Sequence, residues 1–279
     1  MRKLLIFVFC VTLLFIISCS SEQPDRSTFW QDGYCLQTNV RSVEANLESI
    51  AVNTLEDGWK VFKIVDFPES FVEWSGRRRL EFLQNFKGGR PELAGPHNGI
   101  VATYGYQRSD AQFSLNNAVK GMGFVPKPEK MAEMTALLDS TQDASYQEKM
   151  AILEGFYQNL EENFDLDKQA SLELYSRPEY MTQTFLNQMY NPVSTIVFLD
   201  IPSYKLKTIA RLIDPKNPEL TEYERQVVTW INKIHSYFHG PFSVDFIGVI
   251  YYVVEVYDNS PRGKDPQTGM GRRLMPLLP

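Results

Sequence analysis

Apolar and polar positions alternate between several rhythms along this chain, beginning with an apolar run from Leu4 to Ile17 that is preceded by Arg2 and Lys3. After a polar stretch from Ser20 to Ser27, folding is expected to start near Phe29-Trp30. Trp59 to Asp66 has a two-residue period that predicts a strand with Trp59, Val61 and Val65 on one face. Gly99 to Tyr106 predicts another, with Ile100, Ala102, Tyr104 and Tyr106 sharing a face. Between them, Pro68 and Gly88-Gly89 bracket a helix carrying Phe71, Trp74, Leu80, Leu83 and Phe86.

The middle of the chain reads as helical throughout. Ser109-Asp-Ala-Gln112 and Ser145-Tyr-Gln-Glu148 both have capping-box spacing, in which the two side chains satisfy free N–H groups at a helix start. The second box opens a long helix with Met150, Leu153, Tyr157, Leu160 and Phe164 on one stripe, the pattern of core packing. Further helices are expected over Glu179 to Met189 and around Lys205 to Ile213, with an apolar strand from Thr195 to Leu199 between them.

The last third is the most regular. Thr221-Glu-Tyr-Glu224 caps a helix running to about Phe238, and Gly240-Pro241 stops it. Val244 to Tyr257 then forms a strand apolar on both faces, hence central and covered on both sides. This mixture predicts the α+β class, as one mixed domain with a helix-rich centre and a long buried C-terminal strand. No repeat, low-complexity tract or internal Gly/Ser linker divides the body, so 29–279 reads as one globular domain.

The N-terminal apolar run holds 14 residues, short of the roughly 20 that a permanent spanning helix needs. It ends at Ile16-Ile17-Ser18-Cys19, which resembles the lipobox of bacterial lipoproteins; the resemblance covers only the export segment. It implies that residues 1–18 are a signal peptide and that the Cys19 thiol carries diacylglycerol. The chain is then cut before Cys19, and 19–28 forms the lipidated start and a tether. Two or three acyl chains anchor firmly, at about 0.8 kcal/mol per buried CH₂, where one chain is marginal. The resemblance thus places the protein in the cell envelope, held to a membrane through its N-terminal lipid. Ser20 after the cysteine favours the outer membrane if the host is Gram-negative.

Charge narrows the partners. Without residues 1–18 the chain has 26 basic and 34 acidic side chains, net −8, which disfavours nucleic acid. Arg77-Arg78-Arg79 and the tail cluster Arg262, Lys264, Arg272 and Arg273 read as solvated faces. Cys10 leaves with the signal and Cys19 is consumed by lipid, so Cys35 is the one mature thiol and reads as a small buried hydrophobe.

Candidate chemistry is sparse. His235-Ser-Tyr-Phe-His239 puts two of three histidines one helical turn apart, a spacing that can bind zinc. The Glu that follows the first His in zinc-protease helices is replaced by Ser236, and a third ligand would come from His97, Asp245 or a remote carboxylate. The competing reading places both side chains in the last helical turn, where they suit the exposed carbonyls. Pro96-His97-Asn98-Gly99 has turn chemistry, with Asn-Gly supplying the positive backbone dihedrals. Asp200, after a strand and near Pro202, reads as a helix cap. Gly263-Lys264 and Gly269-Met-Gly271-Arg272 lack the following helix of a phosphate loop. The functional expectation is a non-enzymatic envelope lipoprotein that binds a small ligand or an envelope protein. The alternative is an anchored metal-dependent enzyme using His235, His239 and His97.

Overall fold

An antiparallel sheet organises the chain. The computed structural model describes residues 23–41, 47–55, 58–87, 92–261 and 271–276. The export segment, Cys19, Gly88-Gly89, Arg262, Lys264 and Gly269 lie outside them. A short 3₁₀ turn leads to two brief strands, β1 (Trp30–Gln31) and β2 (Tyr34–Cys35), which pair with each other. β3 (Val40–Arg41), β4 (Ser49–Thr54) and β5 (Gly58–Lys63) form a small antiparallel sheet. Then come α1 (Glu69–Lys87), β6 (Asn98–Thr103), β7 (Asn116–Gly121), α2 (Pro128–Ser140), α3 (Tyr146–Gln158), the single turn α4 (Leu160–Asn163) and β8 (Lys168–Glu173). The chain continues through α5 (Gln183–Tyr190), β9 (Val193–Phe198), β10 (Tyr204–Ile213), α6 (Glu222–His239), β11 (Ile247–Asp258) and β12 (Arg272–Arg273).

The class is α+β. The main sheet has seven strands in the order β12-β11-β10-β9-β6-β7, with β8 also on β11. Its two ends meet, because Gly123 and Ala170 exchange both backbone hydrogen bonds at 2.8 Å. Asp165 N donates to Val125 O at 2.9 Å and Lys127 N to Asn163 O at 2.9 Å, so the seam is zipped over several residues. Closure satisfies edge N–H and C=O groups that would otherwise face solvent. It also holds Gly121, Met122 and Gly123 in place. β11 is buried along its first eight residues, as its two-sided apolar pattern requires.

One continuous apolar cluster runs from Phe29 through Phe71, Leu153 and Trp230 to Val256. In α6 both partners of the capping box are present: Glu224 N donates to Thr221 Oγ1 at 3.2 Å and Thr221 N to Glu224 Oε2 at 2.9 Å. The helix buries Val227, Val228, Trp230 and Ile231, each contributing roughly 1.5–3 kcal/mol. Trp230 Nε1 donates to Phe124 O at 3.1 Å. Asn232 Nδ2 donates to Phe246 O at 2.9 Å and its Oδ1 accepts from Phe246 N at 2.8 Å, fixing the end of α6 against the start of β11.

Several elements depart from the sequence reading. Lys205 to Ile213 is not a helix but β10, the strand paired with β9 and β11. Leu206, Ile209, Ala210 and Ile213 fit a helical stripe as well as a strand, and the flanking strands decide between them. The box at Ser109 opens no helix, because Phe113 and Leu115 are its sole large apolar followers before β7, and both are exposed. β7 and β8 also interrupt the middle, which is therefore not helical throughout. The stripe from Met150 to Phe164 is broken at Asn159, though Met150, Leu153, Leu160 and Phe164 are all buried.

β6 forms in the opposite phase, burying Gly99, Val101 and Thr103. A Cβ on Gly99 would lie 2.7 Å from Ile196 Cγ2, so the sheet closes on the strand where it has no side chain. β5 presents Trp59 and Val61 to solvent at 41% and 72% exposure, and the Arg41 guanidinium lies 3.8 Å from the centre of the Trp59 ring. Asp200 caps no helix: its Oδ2 accepts from Arg78 Nε at 2.7 Å and Trp74 Nε1 at 3.0 Å. In the turn before β6 the positive φ falls on Gly95, at 100°, instead of on Asn98-Gly99. Cys35 is buried as expected, and burial pushes its thiol well above the usual range. Among the described residues no helix is long and apolar enough to cross a membrane.

Candidate functional site

Five parts of the fold converge on a cavity of about 160 Å³. α1 contributes Arg79, Phe82 and Leu83; the turn into β6 contributes His97 and Asn98. The end of β7 and the seam after it supply Gly121, Met122 and Gly123, α3 supplies Leu153 and Tyr157, and α6 supplies Ile234, His235, Phe238 and His239. All three histidines therefore line one site, although His97 is 138 positions from His235. Met122 N donates to His97 O at 2.7 Å, which pins the turn to the seam.

Arg79 sits at the inner wall and is fully buried. It corrects the reading of Arg77-Arg78-Arg79 as a solvated face. Arg77 is exposed and paired with Glu81, while Arg78 spans Glu81, Glu92 and Asp200 at 2.6–2.7 Å. Among the described residues no carboxylate pairs with Arg79. Its Nη2 donates to Pro96 O at 2.9 Å and Met122 O at 3.1 Å, and Nε reaches Ser75 Oγ at 3.4 Å. The rings of Phe124 and Tyr157 lie 4.8 Å and 5.4 Å from its Cζ. Burial weakens the guanidinium's hold on its proton, and the Tyr157 side chain opposes this, so the group stays cationic. A buried cation held by carbonyl dipoles and ring faces is a costly arrangement when no anion compensates it.

Arg79 also sets the state of His97. Nη1 points at His97 Nδ1 over a long 3.5 Å. An arginine nitrogen only donates, so Nδ1 accepts and the neutral ring carries its proton on Nε2. That Nε2 is buried and has no hydrogen-bond partner among the described residues. Burial, then Arg79 and Arg78, hold the His97 pKa well below its ordinary value. Phe82 covers the ring at 3.9 Å between centroids.

His235 has the complementary tautomer. Its Nδ1 lies 2.8 Å from Ile231 O, one turn back along α6. The carbonyl accepts, so Nδ1 carries the proton and Nε2 is left as an acceptor. A Cβ on Gly121 would stand 3.7 Å from that Nε2, so the glycine keeps the wall thin. Burial lowers the pKa of His235, and desolvation lowers that of His239 although its side chain is exposed. The two rings are 6.4 Å apart between centroids.

The three candidate ligands are thus gathered without forming a ligand set. Among the described residues no group of three or more His, Cys, Asp or Glu is disposed to hold a metal ion. One nitrogen of His97 faces a cation and one of His235 is engaged with its own helix. Asp245, proposed as a third ligand, lines a separate surface groove with Trp30, Tyr175 and Tyr180. Arg272 and Arg273 of the tail are spent on Asp258 and Glu255. The residue that sequence reasoning missed is Arg79, whose one signal was its position three after Gly76 on the apolar side of α1. No family model matches the chain, and no curated protein matches it either.

Proposed function

We propose that this protein is a lipid-anchored envelope protein whose body binds a compact small ligand in the cavity between α1, α3 and α6. The observation that carries the binding half is the cavity's lining, in which Phe82, Leu83, Met122, Leu153 and Phe238 surround a few polar side chains: Arg79, His97, Tyr157, His235 and His239. Small-molecule sites have this composition: apolar walls with few convergent polar groups. A binding role is preferred over the zinc-enzyme alternative because the imidazoles are oriented by Arg79 and Ile231, not by a shared centre.

The anchoring half rests on Ile16-Ile17-Ser18-Cys19. At Gln23, Nε2 donates to Gly105 O at 3.3 Å and Oε1 accepts from Gln107 N at 3.1 Å. Three residues lie between Cys19 and Gln23, a reach of at most about 14 Å over four Cα–Cα steps. Phe113 and Leu115, 76% and 66% exposed, belong to the same end of the body through Asn187, which bonds both Tyr106 N and Ser114 O. An apolar end so close to the lipid fits a body resting on the bilayer.

The test is metabolic labelling of the full chain with a fatty-acid probe, read with membrane fractionation and a ligand-induced thermal-shift screen. Wild type should be labelled and sediment with membranes, and Cys19→Ser should do neither. Compounds that raise the Tm of wild type should fail on Leu153→Trp, which fills the cavity. Equal labelling of Cys19→Ser refutes the anchor, and compounds that stabilise both proteins alike refute the cavity as the site.

A further inference from the structure

A lipid at Cys19 would fix one point of the body to the bilayer, and the surface around that point is apolar. We infer that the loop between β6 and β7 enters the bilayer interface through Phe113 and Leu115. This second contact orients the body, with the cavity that His97 lines at the far end of the β6–β7 hairpin. It deepens the anchoring reading just given, on which it rests.

Three observations lead there. First, the exposed apolar side chains stand on a backbone tied to the core. Asn187, fully buried on α5, accepts from Tyr106 N at 3.0 Å and donates to Ser114 O at 2.8 Å. Asn191, one turn on, donates to Tyr104 O at 3.4 Å, and Gln107 Nε2 donates across the loop to Ala111 O. Phe113 and Leu115 flank the anchored Ser114 and still face solvent, as clustered apolar side chains do at interaction surfaces. Second, the surface continues to the tether at low cost in charge. Leu55 Cδ1 would stand 2.9 Å from a Cβ on Gly105, whose carbonyl accepts from Gln23. Arg108 Nε donates to Asp110 Oδ1 at 2.8 Å, so this cation and acid of the loop approach the bilayer as a pair. Third, the tether selects this end over its rival. Leu93, Leu199 and Ile201 form an equally exposed apolar group at the other end of β6, where Leu93 O accepts from Asn98 Nδ2 at 3.2 Å and Leu199 O from Gly95 N at 3.0 Å. With that end on the bilayer and the hairpin upright, Gln23 would stand above it by at least the length of β6, about 17 Å from Asn98 to Thr103. The link from Cys19 to Gln23 reaches at most about 14 Å, too short for that orientation.

Fluorescence quenching in phosphatidylcholine vesicles with spin-labelled acyl chains tests this on the full chain purified from membranes. Cys35 is buried and Cys19 carries the lipid, so a thiol-reactive fluorophore goes to Gln112→Cys or to Leu93→Cys, both at exposed positions. The label at 112 sits at the headgroup–acyl boundary and should be quenched at least about threefold more strongly than the label at 93. Adding Phe113→Ser and Leu115→Ser should bring the label at 112 down to the level at 93 in a protein that still sediments with the vesicles. Sedimentation with equal quenching, or with stronger quenching at 93, overturns the loop contact and leaves the anchor standing. A chain that does not sediment overturns the anchor and the contact with it. Unchanged quenching at 112 in the double variant overturns the role of Phe113 and Leu115. Shielding of the label at 112 that grows with protein density and ignores the spin label assigns this face to a second copy of the chain, which also overturns the lipid contact. The comparison of 112 with 93 does not depend on the double variant folding.

Discussion

Acid should unfold this protein partly through His97. Its Nε2 is buried, and desolvation together with the charges of Arg79 and Arg78 disfavours the protonated ring. In the unfolded chain His97 returns to its ordinary value of 6.5. Below that pH the unfolded state binds a proton that the native state does not, so stability falls as pH falls. Each pH unit is worth about 1.4 kcal/mol per proton. Between about pH 8 and pH 5 this one side chain therefore removes about 2 kcal/mol, for as long as the native ring stays neutral. Urea unfolding of wild type and of the non-titrating His97→Gln, followed by circular dichroism at both pH values, isolates the effect. His235, whose pKa is lowered by burial and then by His239, contributes in the same direction to both proteins and cancels in the difference. Wild type should lose about 2 kcal/mol more than the variant over that interval. Equal losses would mean that the native ring accepts its proton beside Arg79, and the argument from an uncompensated buried cation would be refuted.

Two further outcomes follow from the packing. Thr221→Ala deletes the capping side chain of α6 and should lower stability by about 1 kcal/mol in denaturant melts, with His235 and His239 less firmly placed. An unchanged midpoint would show that Asn232 and Trp230 alone hold the helix. Leu206 in β10 is fully buried whereas Val61 in β5 is 72% exposed. Leu206→Ala should therefore cost about 2–5 kcal/mol, against about 0.5 kcal/mol or less for Val61→Ala. Similar losses would indicate that β5 is covered in solution.

Much of the C-terminal third was legible because its signals are local. Thr221 and Glu224 cap α6 through side chains three residues apart, Gly240 takes the positive φ that ends it, and β11 is apolar on both faces. The α+β class followed from that mixture. β10 was not legible, since its apolar positions satisfy a helix and a strand alike until β9 and β11 lie on either side. The phase of β6 was hidden for a related reason. Its buried face begins with a glycine, so counting apolar side chains selected the wrong side.

The site divides along the same line. From the residues alone came the histidines as the scarce chemistry, the turn at His97, the pairing of His235 with His239 on one helix, and Cys35 as a buried thiol. These depend on neighbours in sequence, where spacing and chain geometry suffice. That His97 joins the other two, that Arg79 is buried while Arg77 is not, and that the rings are turned toward Arg79 and Ile231 all depend on closure of the sheet seam and docking of α1, α3 and α6. Whether a charge is buried is decided by what packs over it, and here those groups come from segments far apart along the chain.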